Sequence, residues 1–136
     1  MVVNITGIIV DTQHRAPNVP NDPALSISMP QGGSATIRMR LIFASSAPVP
    51  VSMLKTATVP RLVVRQRISG AAKALSIDAE WDRLTERWVF IALPTKTRNM
   101  SPGRYAYDVW ITMADDSREQ VVPVSAFVIL ASEQVN

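Results

Sequence analysis

The chain has no cysteine and a single histidine, and both scarcities exclude chemistry before any motif is sought. Without thiols there is no disulfide framework, no thiolate metal site and no cysteine nucleophile, and the redox compartment stays unread. The lone imidazole, His14, lies in a proline-rich stretch, and no Gly-x-Ser-x-Gly elbow occurs anywhere, so it reads as an exposed or contact residue and not as a catalyst. Long apolar runs are missing too. Nothing approaches the roughly 18 residues of a membrane span, and Asn4, Thr6, Gly7 and Asp11 interrupt the one candidate leader, so a soluble, unsecreted protein is expected. Glycine is sparse, five residues against ten prolines, and no stretch sustains a helical apolar period. An all-β chain with rigid connections is what remains.

What is present supports one domain: 136 residues, 47% of them hydrophobic, suffice for a single core. The clearest strand runs from Ala35 to Phe43, with Ile37, Met39, Leu41 and Phe43 on one face and Arg38 and Arg40 on the other. Leu25 to Met29 alternates ahead of the Pro30-Gln31-Gly32-Gly33 turn cluster, which lacks the strand-to-helix setting of a phosphate loop. Pro48, Pro50 and Pro60 make residues 44 to 60 a connection, with Val51 to Leu54 as at most a short edge piece. Arg61 to Ile68 and Leu75 to Asp82 read as a hairpin. Pairing Ile68 with Leu75 sets Leu62 against Trp81, Arg61 against Asp82 and Arg65 against Asp78. Trp88 to Leu93 is apolar on both faces, as a covered central strand would be.

Pro102-Gly103 predicts a turn, and Tyr105, Tyr107, Val109, Ile111 and Met113 then fall at period two. Trp110 stands on the opposite face, with Asp108. Asp115-Asp116-Ser117 turns the chain, and Val122, Val124, Ala126, Val128 and Leu130 run back. Pro123 removes a ladder donor, which requires a sheet edge or a bulge there.

Residues 1–23 divide into an apolar β-prone piece and a Pro-punctuated linker, and are expected to form an N-terminal arm ahead of a sandwich over 24–136. Leaving Val2, Val3, Ile5, Ile8, Ile9 and Val10 in water would be costly, so the piece either adds a strand to its own sheet or lies on a neighbour.

The net charge of +3 is segregated: Arg38, Arg40, Lys55, Arg61, Arg65, Arg67 and Lys73 fall between residues 33 and 75 with no acid among them. A basic stretch of this kind can mark nucleic acid, but acidic partners across the strands account for it equally well, and nucleic acid is not expected. Asp78, Glu80 and Asp82 alternate on one strand and invite a calcium site or a glycosidase pair. Strand geometry spreads them over about 13 Å, and facing arginines explain them more simply.

The order of these signals resembles that of small bacteriophage virion domains with an immunoglobulin-like sandwich, the N-terminal domains of baseplate upper proteins among them. The resemblance rests on Gln31-Gly32-Gly33 before the strand Thr36 to Phe43, on Ala92-Leu93-Pro94 followed by Pro102-Gly103-Arg104-Tyr105-Ala106-Tyr107-Asp108-Val109, and on the closing strand Val121 to Leu130. Asp115-Asp116 replaces the usual Asp-Gly of the last hairpin. It implies a single immunoglobulin-like antiparallel β-sandwich and a non-enzymatic virion structural protein: a capsid decoration or cement protein docked on the major capsid protein. The alternatives are a tail or baseplate adaptor and, third, a host-carbohydrate-binding module. A homo-oligomer within a symmetric assembly, placed in the virion after assembly in the host cytoplasm, would follow. No cofactor, metal, catalytic residue or membrane contact is expected, and the interface would be carried by Val2, Val3, Ile5, Ile8, Ile9, Val10, Arg38, Arg40 and Trp110.

Overall fold

The computed structural model describes residues 1–9, 22–66 and 73–131. Among the described residues nine strands form two sheets: β1 (Val2–Ile9), β2 (Ile27–Pro30), β3 (Ala35–Phe43), β4 (Arg61–Gln66), β5 (Lys73–Asp78), β6 (Glu80–Asp82), β7 (Arg87–Ala92), β8 (Gly103–Thr112) and β9 (Arg118–Leu130). One sheet has the order β1-β3-β7-β6 and the other β2-β9-β8-β4-β5. A short helix, α1 (Pro94–Thr97), begins at the proline that stops β7.

The chain is a β-sandwich, as expected. Alternation along each strand sends one row of side chains inward, and the rows of both sheets meet in one core that includes Ile37, Met39, Phe90, Val109, Ile111, Phe127 and Ile129, all at most 1% exposed. Pairing is not antiparallel throughout: β1 lies parallel to β3, and β2 parallel to β9.

Residues 2–9 are no arm. β1 pairs with β3 along its whole length, from Val2 opposite Thr36 to Ile9 opposite Phe43, and Ile5 and Ile9 are buried in the core. Of the two placements open to this apolar piece, the home sheet is the one adopted, and for these residues the expected boundary at 23 does not hold. The physical reason is on the inner face. Gly7 lets β1 approach so closely that a Cβ there would stand 2.9 Å from Met39 Sδ. The linker from 10 to 21, with Val10 and His14, lies outside the described residues.

The second hairpin forms in a different register. Arg61 faces Asp78, and Leu62 faces Ile77, four residues from the expected pairing, after which the chain leaves this sheet at Ala79 and enters the other as β6. Val51–Met53 is a turn of 3-10 helix, not a strand piece. β2 pairs with β9 only over 127–130, so Pro123 lies beyond it, in the stretch where β9 is bulged against β8. The β8–β9 register shifts between Tyr107 and Val109 and again between Val109 and Trp110, each time with an extra residue on β9.

Tyrosines tie strands to loops. Tyr105 donates to the Ser101 carbonyl at 2.8 Å, pinning the Pro102-Gly103 turn, where Gly103 takes φ 147°. Tyr107, 1% exposed, packs edge-on against Phe127 and donates to the Leu25 carbonyl. Burial pushes its phenol well above the ordinary tyrosine range, so it stays a donor. Tyr107→Phe leaves that carbonyl dry and unpaired, and denaturant unfolding should show a loss of about 1.5 kcal/mol with the m-value unchanged. A neutral result would mean that water reaches Leu25.

Candidate functional site

On the solvent side of a sheet, alternation should deliver water-exposed polar side chains. The outer face of the five-stranded sheet departs from this at its centre. Along β8 the outward row is Arg104, Ala106, Asp108, Trp110 and Thr112, and β4 sets Arg65 opposite Ala106, Val63 opposite Asp108 and Arg61 opposite Trp110. The two β9 bulges slide the other neighbour by two residues, so Gln120 faces Trp110 and Arg118 faces Thr112. That slide is what assembles the site.

Asp108 is its pivot. One carboxylate oxygen, Oδ2, accepts from Trp110 Nε1 at 3.0 Å and from Gln120 Nε2 at 3.2 Å. The other, Oδ1, is buried without a hydrogen-bond partner, and the nearest cation, Arg65, stands 4.0 Å away. The side chain as a whole is 13% exposed, although it points away from the core. The Arg118 guanidinium lies over the Trp110 ring, 5.1 Å from its centroid, and Arg61 Nε donates to Asp78 at 2.8 Å, a bond that raises the guanidinium above its ordinary pKa. Two shallow depressions meet here. One, of about 370 Å³, is lined by Arg61, Val63, Arg65, Asp108, Trp110 and Arg118; the other, of about 490 Å³, shares Arg61, Trp110 and Arg118 and extends to Thr58, Asp78 and Thr112.

This arrangement is suited to recognition. It presents guanidiniums for carboxylate or phosphate, a flat indole held rigid by its own N–H bond, and an acceptor oxygen in want of a donor. Among the described residues there is no cluster of three or more His, Cys, Asp or Glu able to hold a metal, and no helix is long and apolar enough to cross a membrane.

The other expected contact residues are scattered. Val2 is 64% exposed and Val3 and Ile8 are half-buried, whereas Ile5 and Ile9 are core residues and offer a partner nothing. Arg38 and Arg40 lie on the outer face of the opposite sheet, so they form no continuous basic surface with Arg61 and Arg65; Arg67 falls outside the described residues. Arg38 is engaged by Asp82 at 3.3 Å and by Thr85. The Thr85 hydroxyl, the Leu84 and Thr85 amides and Arg38 hold the Asp82 carboxyl below its usual range. Arg40 lines a separate depression of about 380 Å³ with Trp81 and Arg87. Asp78 and Asp82 belong to different sheets, which dissolves the acidic row imagined for them.

Of the site, the sequence marked Trp110 as an aromatic on the wrong side of its strand. It missed Asp108, Arg61, Arg65, Arg118 and Gln120 as companions of that indole. The one available signal was Pro123, whose bulge alternative implies a shifted register.

No protein-family model matches the sequence, and no curated protein does. Among solved structures the chain is similar to CopC from Methylosinus trichosporium OB3b, at 10% identity and a TM-score of 0.45, with 84% of this chain and 92% of that one covered. That finding corrects the virion expectation: the likeness it records is to CopC and not to a virion protein. The capsid decoration or cement role, its tail and baseplate alternative and the carbohydrate-binding reading therefore do not stand. At this level of likeness neither ligand nor activity passes from CopC to this chain.

Proposed function

We propose that this chain is a non-catalytic protein-binding module whose ligand is an acidic polypeptide segment laid across the outer face of the five-stranded sheet at Trp110. The observation that carries the reading is the Asp108 carboxylate, sunk on the solvent side of a sheet with no hydrogen bond to Oδ1 and guanidiniums around it. An unmet buried acceptor costs about 1–3 kcal/mol, which a ligand N–H would recover. A polypeptide brings such amides, and its Asp or Glu side chains suit Arg61, Arg65, Arg104 and Arg118. Trp and Arg are also the residues on which protein interfaces most often concentrate their energy. A nucleic-acid strand fits less well, because Asp78 and Asp108 interrupt the basic lining and the Arg118 guanidinium covers the indole face on which a base would stack.

The test is a random-peptide array probed with the full chain. Bound peptides should be enriched in Asp and Glu, and Trp110→Ala should weaken the best of them by about 2 kcal/mol, some 30-fold, while the melting temperature stays near that of the parent. An array without acidic enrichment, or affinities indifferent to both Trp110→Ala and Arg65→Gln, would overturn the reading.

A further inference from the structure

A strand at the edge of a sheet carries unpaired amides and carbonyls, and proteins blunt such edges with short length, charge, proline or bulges. Three of the four edges among the described residues are blunted in this way. β2 has four residues and ends on Pro30, β6 has three with Glu80 and Asp82 among them, and β5 has six and ends on the charged Asp78. β1 has none of these devices. It is eight residues long, Val-Val-Asn-Ile-Thr-Gly-Ile-Ile, without charge or proline, and its ladder with β3 runs without a register shift.

Which backbone groups stand free follows from the ladder. The Met1 carbonyl accepts from the Thr36 N–H and the Ile9 carbonyl from the Ala44 N–H, so odd-numbered residues address β3. Backbone direction alternates along a strand, so Val2, Asn4, Thr6 and Ile8 direct their N–H and C=O groups away from the sheet. Among the described residues no backbone hydrogen bond reaches those groups. A groove of about 270 Å³, lined by Asn4, Ile5, Thr6, Asp22, Ala24 and Leu25, opens beside this edge.

We infer that β1 pairs antiparallel with β1 of a second copy of this chain, joining two four-stranded sheets into one of eight. The sequence of the edge selects that occupant. The outer-face side chains Val2, Asn4, Thr6 and Ile8 read apolar, polar, polar, apolar, a pattern that maps onto itself under a two-fold rotation. With the axis at Ile5, Val2 faces the partner's Ile8 and Asn4 faces the partner's Thr6. All of these are even-numbered residues, the ones with free backbone groups, so each pair falls in the hydrogen-bonded class. No charge on the strand opposes the pairing or favours a different partner. The resulting dimer presents two Trp110 faces, but the inference stands on β1 alone and not on what those faces bind.

Sedimentation equilibrium of the full chain across the micromolar range tests it. The expected species has twice the 14.9 kDa chain mass. Thr6→Pro deletes only an outward N–H and leaves the β3 ladder its donors, so the mass should fall to that of one chain with the circular dichroism spectrum and melting retained. Asn4→Lys combined with Thr6→Lys sets ammonium against ammonium across the axis and should dissociate the dimer by a different route, which decides the matter if the proline variant folds poorly. A parent chain that sediments as a single copy at every concentration, or a dimer that survives both variants, overturns the inference.

Discussion

Phe127→Ala should remove about 3–5 kcal/mol of stability, among the largest losses expected from a single truncation of a described residue. Phe127 is fully buried in β9, the strand that pairs with both β2 and β8, and its ring meets Tyr107 edge-on with centroids 6.1 Å apart. Truncation removes the transfer energy of the ring and leaves a cavity that two hydrogen-bonded neighbours hold open. Domains of this kind are stable by only about 5–15 kcal/mol in total, so the loss is a large share. At roughly 3–5 °C per kcal/mol for a chain of this size, the melting temperature should drop by about 10–20 °C. Phe127→Leu keeps most of the volume and should lose less than half as much. Urea titrations of the three proteins, with equal m-values, would check the ranking. A loss below about 1.5 kcal/mol for the alanine variant would mean that the inter-sheet core is not packed around this ring.

The same strand shows how far local pattern reaches. β3 is legible to the residue, because nine alternating positions from Ala35 to Phe43 admit one assignment and the buried row Ile37, Met39 and Leu41 is the one alternation selects. The β4–β5 register is not legible. Sliding the pair by four residues keeps every side chain on its face, so alternation cannot distinguish Arg61 opposite Asp82 from the observed Arg61 opposite Asp78. The passage to the other sheet at Ala79 is equally silent, since Leu75, Ile77, Ala79 and Trp81 continue one inward period across the crossing. The candidate site suffers more, being made of residues joined only by non-local register. Trp110 declares itself through its side of β8, whereas Gln120 and Arg118 reach it through two bulges, and Arg61, Val63 and Arg65 through a β4–β8 pairing that spans more than 40 residues of chain. Pro123 held half of that information. It demanded an edge or a bulge, and the local sequence does not choose between them, because the bulges are set by the β8 register and β2 meets β9 only over 127–130.

β1 brings the inner and outer faces of one strand into a single argument, and Gly7→Val probes the inner one. An added Cβ would stand 2.9 Å from Met39 Sδ, 3.2 Å from Val121 Cγ2 and 3.3 Å from Leu41 Cδ1. Met39 is fully buried and Leu41 and Val121 are core residues, so none can swing into solvent, and valine adds two further methyl groups beyond the Cβ. Overpacking of this kind costs typically 1–3 kcal/mol, and the three-sided contact places this case near 3 kcal/mol. Valine is otherwise a better strand former than glycine, so a propensity argument predicts stabilisation, and the sign of the result separates the two. The way in which the strain is relieved is informative as well. β1 is tied to the rest of its sheet only through β3, and Val2, Asn4, Thr6 and Ile8 contribute no backbone bonds to that ladder, so the cheapest response is for β1 to detach as a unit. Hydrogen exchange on Gly7→Val should then show lost protection at the amides of β3 and of the residue after it that bond to β1, Thr36 and Ala44 among them, with protection at Tyr107 and Phe127 retained. Uniform loss across both sheets would mean instead that β1 is an inseparable part of the sandwich, and a variant as stable as the parent would mean that the close approach of Gly7 to Met39 does not exist.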